Sequence, residues 1–155
     1  MSLQTDIIFV AAIKSDTELL RQLAIGDVYN TAIALPDEDL DNAEVPYVIV
    51  AEGDVVNDNT TKDDYEGDTD SVNITVEVAA RTRAELGQMT DRIRKAIRRY
   101  FCNVTEEDEC FDMVPLDYQF SAKPVAYDPL KPCYWRELIY QCDVRNDSTE
   151  DEEYE

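Results

Sequence analysis

Alternation of apolar and polar positions is strongest over residues 72–80, where every second side chain from Val72 to Ala80 is apolar. Because side chains on a strand alternate between its two faces, this pattern predicts a half-buried strand with one core face. Directly after it, apolar residues recur every three or four positions, which predicts a helix over residues 83–101. The helical stripe comprises Leu86, Met89, Ile93, Ile97 and Tyr100. Strand and helix are both roughly 30 Å long, so we expect the helix to cover the apolar face of the sheet.

Capping signals mark the starts of three predicted helices, and a glycine marks one helix end. The helices are expected over residues 7–14, 15–23 and 83–101. Their candidate capping residues are Thr5 or Asp6, the run Ser15-Asp16-Thr17-Glu18, and Thr82 with Glu85 three positions later. Gly26 suits the left-handed conformation that commonly follows a helix end.

Further apolar runs predict four more strands. They cover residues 28–35, which Pro36 ends, and residues 45–51, 113–122 and 133–145. Residues 45–51 are apolar on both faces, so this strand is expected to lie centrally in the sheet. Between the strands, residues 36–44 are predicted as an acidic loop, 54–70 as a long mobile loop, and 123–132 as a proline-bounded connection.

These elements predict one α+β domain over residues 1–145. Its expected architecture is an antiparallel sheet of four to five strands with helices packed on one face. A chain of 155 residues, 44% of them hydrophobic, is sufficient for one core of this kind. Residues 146–155 are strongly acidic and are expected to form a disordered tail.

The formal net charge of −21 argues against a nucleic-acid surface built from basic patches and against binding to anionic membranes. No apolar run of about 18 residues is present, so no membrane span is predicted. No basic residue precedes the apolar segment 7–13, so it is not predicted to be a signal peptide. A reducing cytoplasm is therefore the expected environment of this chain.

The sequence lacks the patterns of several common catalytic and metal-binding sites. The chain has no histidine, its four glycines are isolated, and its four cysteines form no CxxC pair. This composition excludes histidine dyads and phosphate loops, and it predicts free thiols in or near the core. Residues 62–70 resemble a calcium loop, but Lys62 stands where the first carboxylate should be. No catalytic, cofactor-binding or metal-binding residue is assigned, and we expect a protein without enzymatic activity.

Positive charge is concentrated on the predicted helix 83–101. Seven of the 14 Lys and Arg residues lie between Arg81 and Arg99 with only two acidic residues, which gives this segment +5 and the remainder −26. Two interpretations remain open. The basic face can pair with acidic loops of its own chain, or it can meet an acidic loop of a neighbouring copy, and repeated head-to-tail contacts then close a ring.

The order of these elements and several local motifs resemble the tail-terminator, or tail-completion, family of tailed bacteriophages and prophages. The resemblance covers about residues 5–145. It rests on Ser-Asp-x-x-Leu in the second helix, Val-Pro-Tyr-Val-Ile-Val at 45–50, Val-Asn-Ile-Thr-Val-Glu-Val-Ala-Ala-Arg-Thr-Arg-Ala-Glu-Leu at 72–86, and Tyr-Trp-Arg-Glu-Leu-Ile-Tyr-Gln-Cys-Asp-Val at 134–144. The acidic tail and the connection 123–132 fall outside the pattern.

The resemblance implies a structural virion protein that is made in the bacterial cytoplasm. It would form a ring, usually a hexamer, that caps the head-proximal end of the tail tube and ends tube polymerisation. Its partners would be its own copies, the tail tube protein and a head-completion or neck protein, with DNA passing through the lumen without specific binding. The candidate subunit interface is Arg92, Lys95, Arg98 and Arg99. The candidate lumen or contact loop, within residues 54–70, carries Asp58, Asp63, Asp64, Glu66, Asp68 and Asp70.

Three alternatives remain open. The first is another phage neck or head-completion connector with a similar small α+β fold. The second is an acidic inhibitor that imitates DNA and occupies a basic groove of another protein. The net negative charge of the chain agrees with such an inhibitor, but the basic face of the predicted helix 83–101 does not. The third alternative is an enzyme.

Overall fold

The computed structural model describes residues 4–24, 26–31, 43–57 and 69–145. Within them, three helices and six strands follow one another in the order helix, helix, strand, strand, strand, helix and then three strands. The helices are α1 (Thr5–Lys14), α2 (Thr17–Gln22) and α3 (Arg83–Asn103). The strands are β1 (Tyr29–Asn30), β2 (Tyr47–Asn57), β3 (Thr69–Ala80), β4 (Asp117–Ala122), β5 (Ala126–Asp128) and β6 (Cys133–Arg145).

The six strands form one mixed sheet with the order β1-β2-β3-β6-β4, and β5 also pairs with β6. All pairings are antiparallel except that of β1 with β2, which is parallel. Strand β3 is the centre of the sheet, because it pairs along its length with β2 on one side and β6 on the other. The α+β prediction is confirmed, with one more strand than expected.

Helix α3 covers the sheet as its apolar stripe predicts. The Thr82 side chain caps the helix by accepting a 3.1 Å hydrogen bond from the Glu85 N–H. Leu86, Met89, Ile93 and Ile97 are fully buried, and they face the alternate β3 residues Val72, Ile74, Val76 and Val78 in one core. Helix α1 adds Ile8, Phe9, Ala12 and Ile13 to the same core. The opposite face of β3, which carries Asn73, Thr75 and Glu77, is partly exposed.

The second helix and its ends also agree with the sequence. Asp16 is the N-cap of α2, where its side chain accepts hydrogen bonds from the backbone N–H groups of Glu18 and Leu19. Gly26 has a φ of 73°, the left-handed conformation expected after a helix end. The cap predicted for α1 is wrong. Thr5 and Asp6 lie buried inside the helix, and the N-cap is Gln4, which makes no side-chain capping bond.

Several predicted strand boundaries need correction. Strand β4 begins at Asp117 instead of residue 113, because a 3-10 turn occupies Phe111–Met113 and Pro115 has no N–H to donate to a ladder. Strand β2 continues past a bulge between Glu52 and Val55, so residues 55–57 and 69–70 are paired strand and not loop. Strand β2 also lies beside the short edge strand β1 and not at the centre of the sheet.

Other predictions fall partly or wholly outside the described residues. Within the predicted strand 28–35, only Tyr29–Asn30 form a strand, and residues 32–35 are not described. The same holds for most of the acidic loop 36–44, for residues 58–68, and for the acidic segment 146–155. Strand β5 lies in the stretch 123–132 that the sequence predicts as a connection only.

Candidate assembly interface

The outer face of α3 is a basic surface made by Arg94, Lys95, Arg98 and Arg99, all of them exposed. This surface follows directly from the helical period, because the stripe from Leu86 to Ile97 is turned into the core and the intervening positions face solvent. Three of the four residues belong to the predicted interface. Arg94 is an addition, and it occupies the turn of the helix directly before Arg98.

Arg92, the fourth residue of the predicted interface, makes an ion pair within the chain. Its Nε lies 3.2 Å from Oδ2 of Asp16, and its Nη2 lies 3.3 Å from Oδ1. Burial acts to raise the pKa of Asp16, but the hydrogen bond from Arg92 and those from two backbone N–H groups outweigh it and lower that pKa. Arg92 therefore ties α3 to the capped end of α2.

The four exposed residues differ in how much of their charge is already compensated. Lys95 forms a 2.9 Å ion pair with Asp91 one turn earlier, and both side chains are mostly exposed, so this pair adds little stability. The Arg94 guanidinium stacks 4.0 Å from the centroid of the Phe120 ring. Among the described residues, no carboxylate lies within ion-pair distance of Arg98 or Arg99. Arg98 and Arg99 therefore remain the candidates for contact with a partner.

Two surface grooves flank the basic surface. The α2 groove, of about 590 Å³, lies between α2 and the C-terminal half of α3, and Asp16, Arg92, Arg99 and Tyr100 are among its lining residues. The β4 groove, of about 520 Å³, lies between α3 and β4. Its lining residues are Asp91, Arg94, Lys95, Arg98, Asp117, Tyr118, Phe120 and Tyr140. Each groove thus has at least one exposed arginine on its wall.

The structure describes only one of the six acidic residues predicted for the contact loop. Asp58, Asp63, Asp64, Glu66 and Asp68 lie outside the described residues. Asp70 is described, and it is not a loop residue. It lies in β3 opposite Asn57 of β2 and Val144 of β6, where only 6% of its surface is exposed. Asp70 is therefore removed from the candidate contact residues.

Two carboxyl groups that the sequence did not single out lie together where α1 meets β2. Asp6 is 2% exposed, and its Oδ2 has no hydrogen-bond partner among the described residues. Its backbone N–H donates a 3.5 Å hydrogen bond to Oε2 of Glu52. Burial raises the pKa of Glu52, the Asp6 N–H opposes that shift, and the Asp6 carboxyl group adds to it. No sequence signal links the two residues, because they are 46 positions apart.

All four cysteines are free thiols, as predicted. Cys133 and Cys142 are buried and Cys110 is half-buried, but Cys102 is exposed, so the prediction of core thiols is wrong for Cys102. Burial, with a smaller contribution from Asp143, raises the pKa of Cys142 to about 12, which makes its thiol a poor nucleophile at neutral pH. Within the described ranges, no three Cys, Asp or Glu side chains are arranged to hold a metal ion.

No protein-family model matches the chain, and no curated protein matches it. None of the helices in the described part of the chain is long and apolar enough to cross a membrane.

Proposed function

We propose that this chain is a self-assembling structural subunit of the phage tail-terminator type and has no enzymatic activity. The observation that carries the proposal is the basic surface of α3 on a chain that carries −26 outside residues 81–99. The order of elements also supports the proposal. Two short helices, a strand–helix unit and a long last strand follow one another in the order that the resemblance implies.

In this proposal the basic surface of one copy meets an acidic surface of the next copy. A head-to-tail contact of this kind generates a closed ring when its rotation closes. Complementary charge speeds the encounter of the subunits and fixes their relative register. Arg98 and Arg99 are the central residues of the contact, because neither has a carboxylate partner among the described residues.

The assembled ring, usually a hexamer in proteins of this type, caps the head-proximal end of the tail tube and stops its growth. It contacts the tail tube protein on one side and a head-completion or neck protein on the other. Excess carboxylates around a lumen repel DNA phosphates, so DNA slides through without being held. The working location is the virion tail, after synthesis in the host cytoplasm.

Reversing the charge of the basic surface tests the proposal. The double variant Arg98→Glu, Arg99→Glu is expected to abolish ring formation and tube capping, and electron microscopy of tails assembled with it should show overlong or irregular tubes. The matched control is Arg81→Glu, Arg83→Glu, which makes the same charge change at two exposed positions at the start of α3. Thermal melting should show that both variants remain folded.

Three results would contradict the proposal. The first is a charge-reversed variant that caps tubes as well as the wild type. The second is equal loss of capping in the control variant, which would make the effect one of net charge. The third is a wild-type protein that stays monomeric in the presence of tail tubes and binds a basic nuclease or polymerase. That last result would instead support the acidic, DNA-imitating inhibitor.

A further inference from the structure

Strand β4 has an open backbone edge. It is the last strand of the sheet order, and among the described residues no strand pairs with its outer side. The Lys123 N–H donates a 2.9 Å hydrogen bond to the Glu137 carbonyl, which identifies this facing pair as a hydrogen-bonded pair. Such pairs alternate along antiparallel strands. The register of β4 with β6 therefore turns the backbone N–H and C=O groups of Tyr118, Phe120 and Ala122 away from β6.

The open edge forms one side of the β4 groove, and α3 forms the other. The rings of Tyr118 and Phe120 pack on Tyr140, with centroid distances of 5.4 and 5.1 Å, and form the floor. The Arg94 guanidinium stacks over Phe120. At the other end of the groove, the Phe101 ring of α3 lies 6.1 Å from the Tyr118 ring, and Arg98, three residues before Phe101, lines the groove there. Arg94 and Arg98 therefore follow Phe120 and Tyr118 in order, so α3 runs antiparallel to β4.

The spacing of the two arginines matches that of an extended chain. Residues four apart on a helix are separated by roughly 6 Å along its axis. Alternate residues of a strand are separated by roughly 6.8 Å. An extended segment lying in the groove would therefore present side chains two positions apart to Arg94 and Arg98. Carboxylates at those positions would form charge-assisted hydrogen bonds with the two guanidinium groups.

We propose that the β4 groove binds an extended acidic segment of a second copy of this chain, which adds to the sheet as a new strand beside β4. Backbone hydrogen bonds to Tyr118, Phe120 and Ala122 would supply affinity, and alternate carboxylates facing Arg94 and Arg98 would supply specificity. The second copy is the partner because the chain outside residues 81–99 carries −26. This inference rests on the proposed function and specifies the contact through which the copies join.

The test uses synthetic peptides and therefore does not require ring formation. Three peptides that carry carboxylates two positions apart are tested, residues 37–44, 63–68 and 147–155. Each is titrated against the full-length protein by isothermal calorimetry, beside a version with Asn and Gln in place of Asp and Glu. At least one acidic peptide is expected to bind and its neutral version to bind at least about tenfold more weakly, because the charged hydrogen bonds are lost. The amides of Tyr118 and Phe120 should become protected from hydrogen exchange.

Two variants separate strand addition from attraction by charge alone. Arg94→Glu, Arg98→Glu should abolish peptide binding, whereas the control Arg81→Glu, Arg83→Glu should leave it unchanged. Ala122→Pro removes one outward N–H while keeping every charge, and an edge position tolerates proline. It should weaken binding about fivefold or more, because a backbone hydrogen bond is lost.

The inference is overturned if none of the three peptides binds the wild type. It is also overturned if Ala122→Pro, shown to be folded by circular dichroism, binds as tightly as the wild type while the amides of Tyr118 and Phe120 stay unprotected. Peptide binding without capping of tubes would contradict the proposed function and leave the groove as described. Capping of tubes without peptide binding would contradict the groove and leave the function.

Discussion

Replacing Glu52 by Gln should stabilise the protein, because it removes a repulsion between the half-buried Glu52 carboxyl group and the buried Asp6 carboxyl group. Glu52 accepts a long hydrogen bond from the Asp6 N–H, and Asp6 Oδ2 has no partner among the described residues. A glutamine keeps the shape and the acceptor oxygen of glutamate. It also adds an N–H group that can donate to the Asp6 carboxylate, which a glutamate cannot do when ionised.

The expected gain is about 1 kcal/mol in the free energy of unfolding at neutral pH, the net value of one well-formed hydrogen bond. For a domain of this size that gain corresponds to roughly 2–4 °C in Tm. The gain should depend on pH. Because burial raises the pKa of Glu52 in the folded protein, the folded state holds this proton more tightly than the unfolded state. The wild type therefore loses stability as pH rises from the usual pKa of glutamate through the raised pKa of folded Glu52. The advantage of glutamine disappears as pH falls below the usual pKa of glutamate.

Urea unfolding followed by circular dichroism at pH 7 and at about pH 4 measures both effects, since an unperturbed glutamate titrates near the lower value. A control is essential, because removing any negative charge from a chain of net charge −21 reduces self-repulsion. Asp54→Asn serves this purpose, since Asp54 is exposed on the same strand. A gain no larger than that of the control, a gain equal at both pH values, or a loss of stability at neutral pH would refute the reasoning.

Three further predictions concern the packing and chemistry of the described residues. Ile93→Ala should lower the free energy of unfolding by about 2–5 kcal/mol in urea titrations, because Ile93 is 0% exposed between α3 and the sheet. Asp16→Ala should cost about 1–2 kcal/mol, since it removes a helix cap and the ion pair with Arg92. The lowered pKa of Asp16 means that this contribution should fade as pH falls through the range where the folded carboxyl titrates, so equal losses at neutral and acid pH would contradict it. Iodoacetamide should modify Cys102 in the native protein and leave Cys142 intact until the chain is unfolded, which mass spectrometry of digests can check.

The central strand–helix unit could be predicted from the sequence because its signals are local and agree with one another. The alternation of β3, the Thr82 cap and the stripe of α3 each specify the same arrangement, and burial of one face then fixes the register. The last strand was predicted to the residue for the same reason, since Leu138, Tyr140, Cys142 and Val144 alternate over a long run.

The remaining features depend on contacts between distant parts of the chain. Strand β5 is three residues long and exists because β6 offers it a partner, which no local pattern can indicate. Asp70 is polar and follows a polar stretch, so it reads as loop, yet pairing with β2 and β6 places it in the sheet. For the candidate interface, the helical period revealed the basic surface of α3. The helical period could not reveal that Arg92 forms an ion pair with Asp16 or that Arg94 stacks on Phe120.

The position of β6 has a consequence for the order in which this protein can fold. It is the last of the described elements, but it lies inside the sheet, between β3 and β4. Pairs such as Val76 with Leu138 join residues 62 positions apart, and such non-local contacts slow the folding of a domain. During synthesis on the ribosome, one side of β3 therefore stays unpaired until β6 has emerged. During that interval the unpaired edge of β3 is a site for aggregation, which the strong negative charge of the chain opposes.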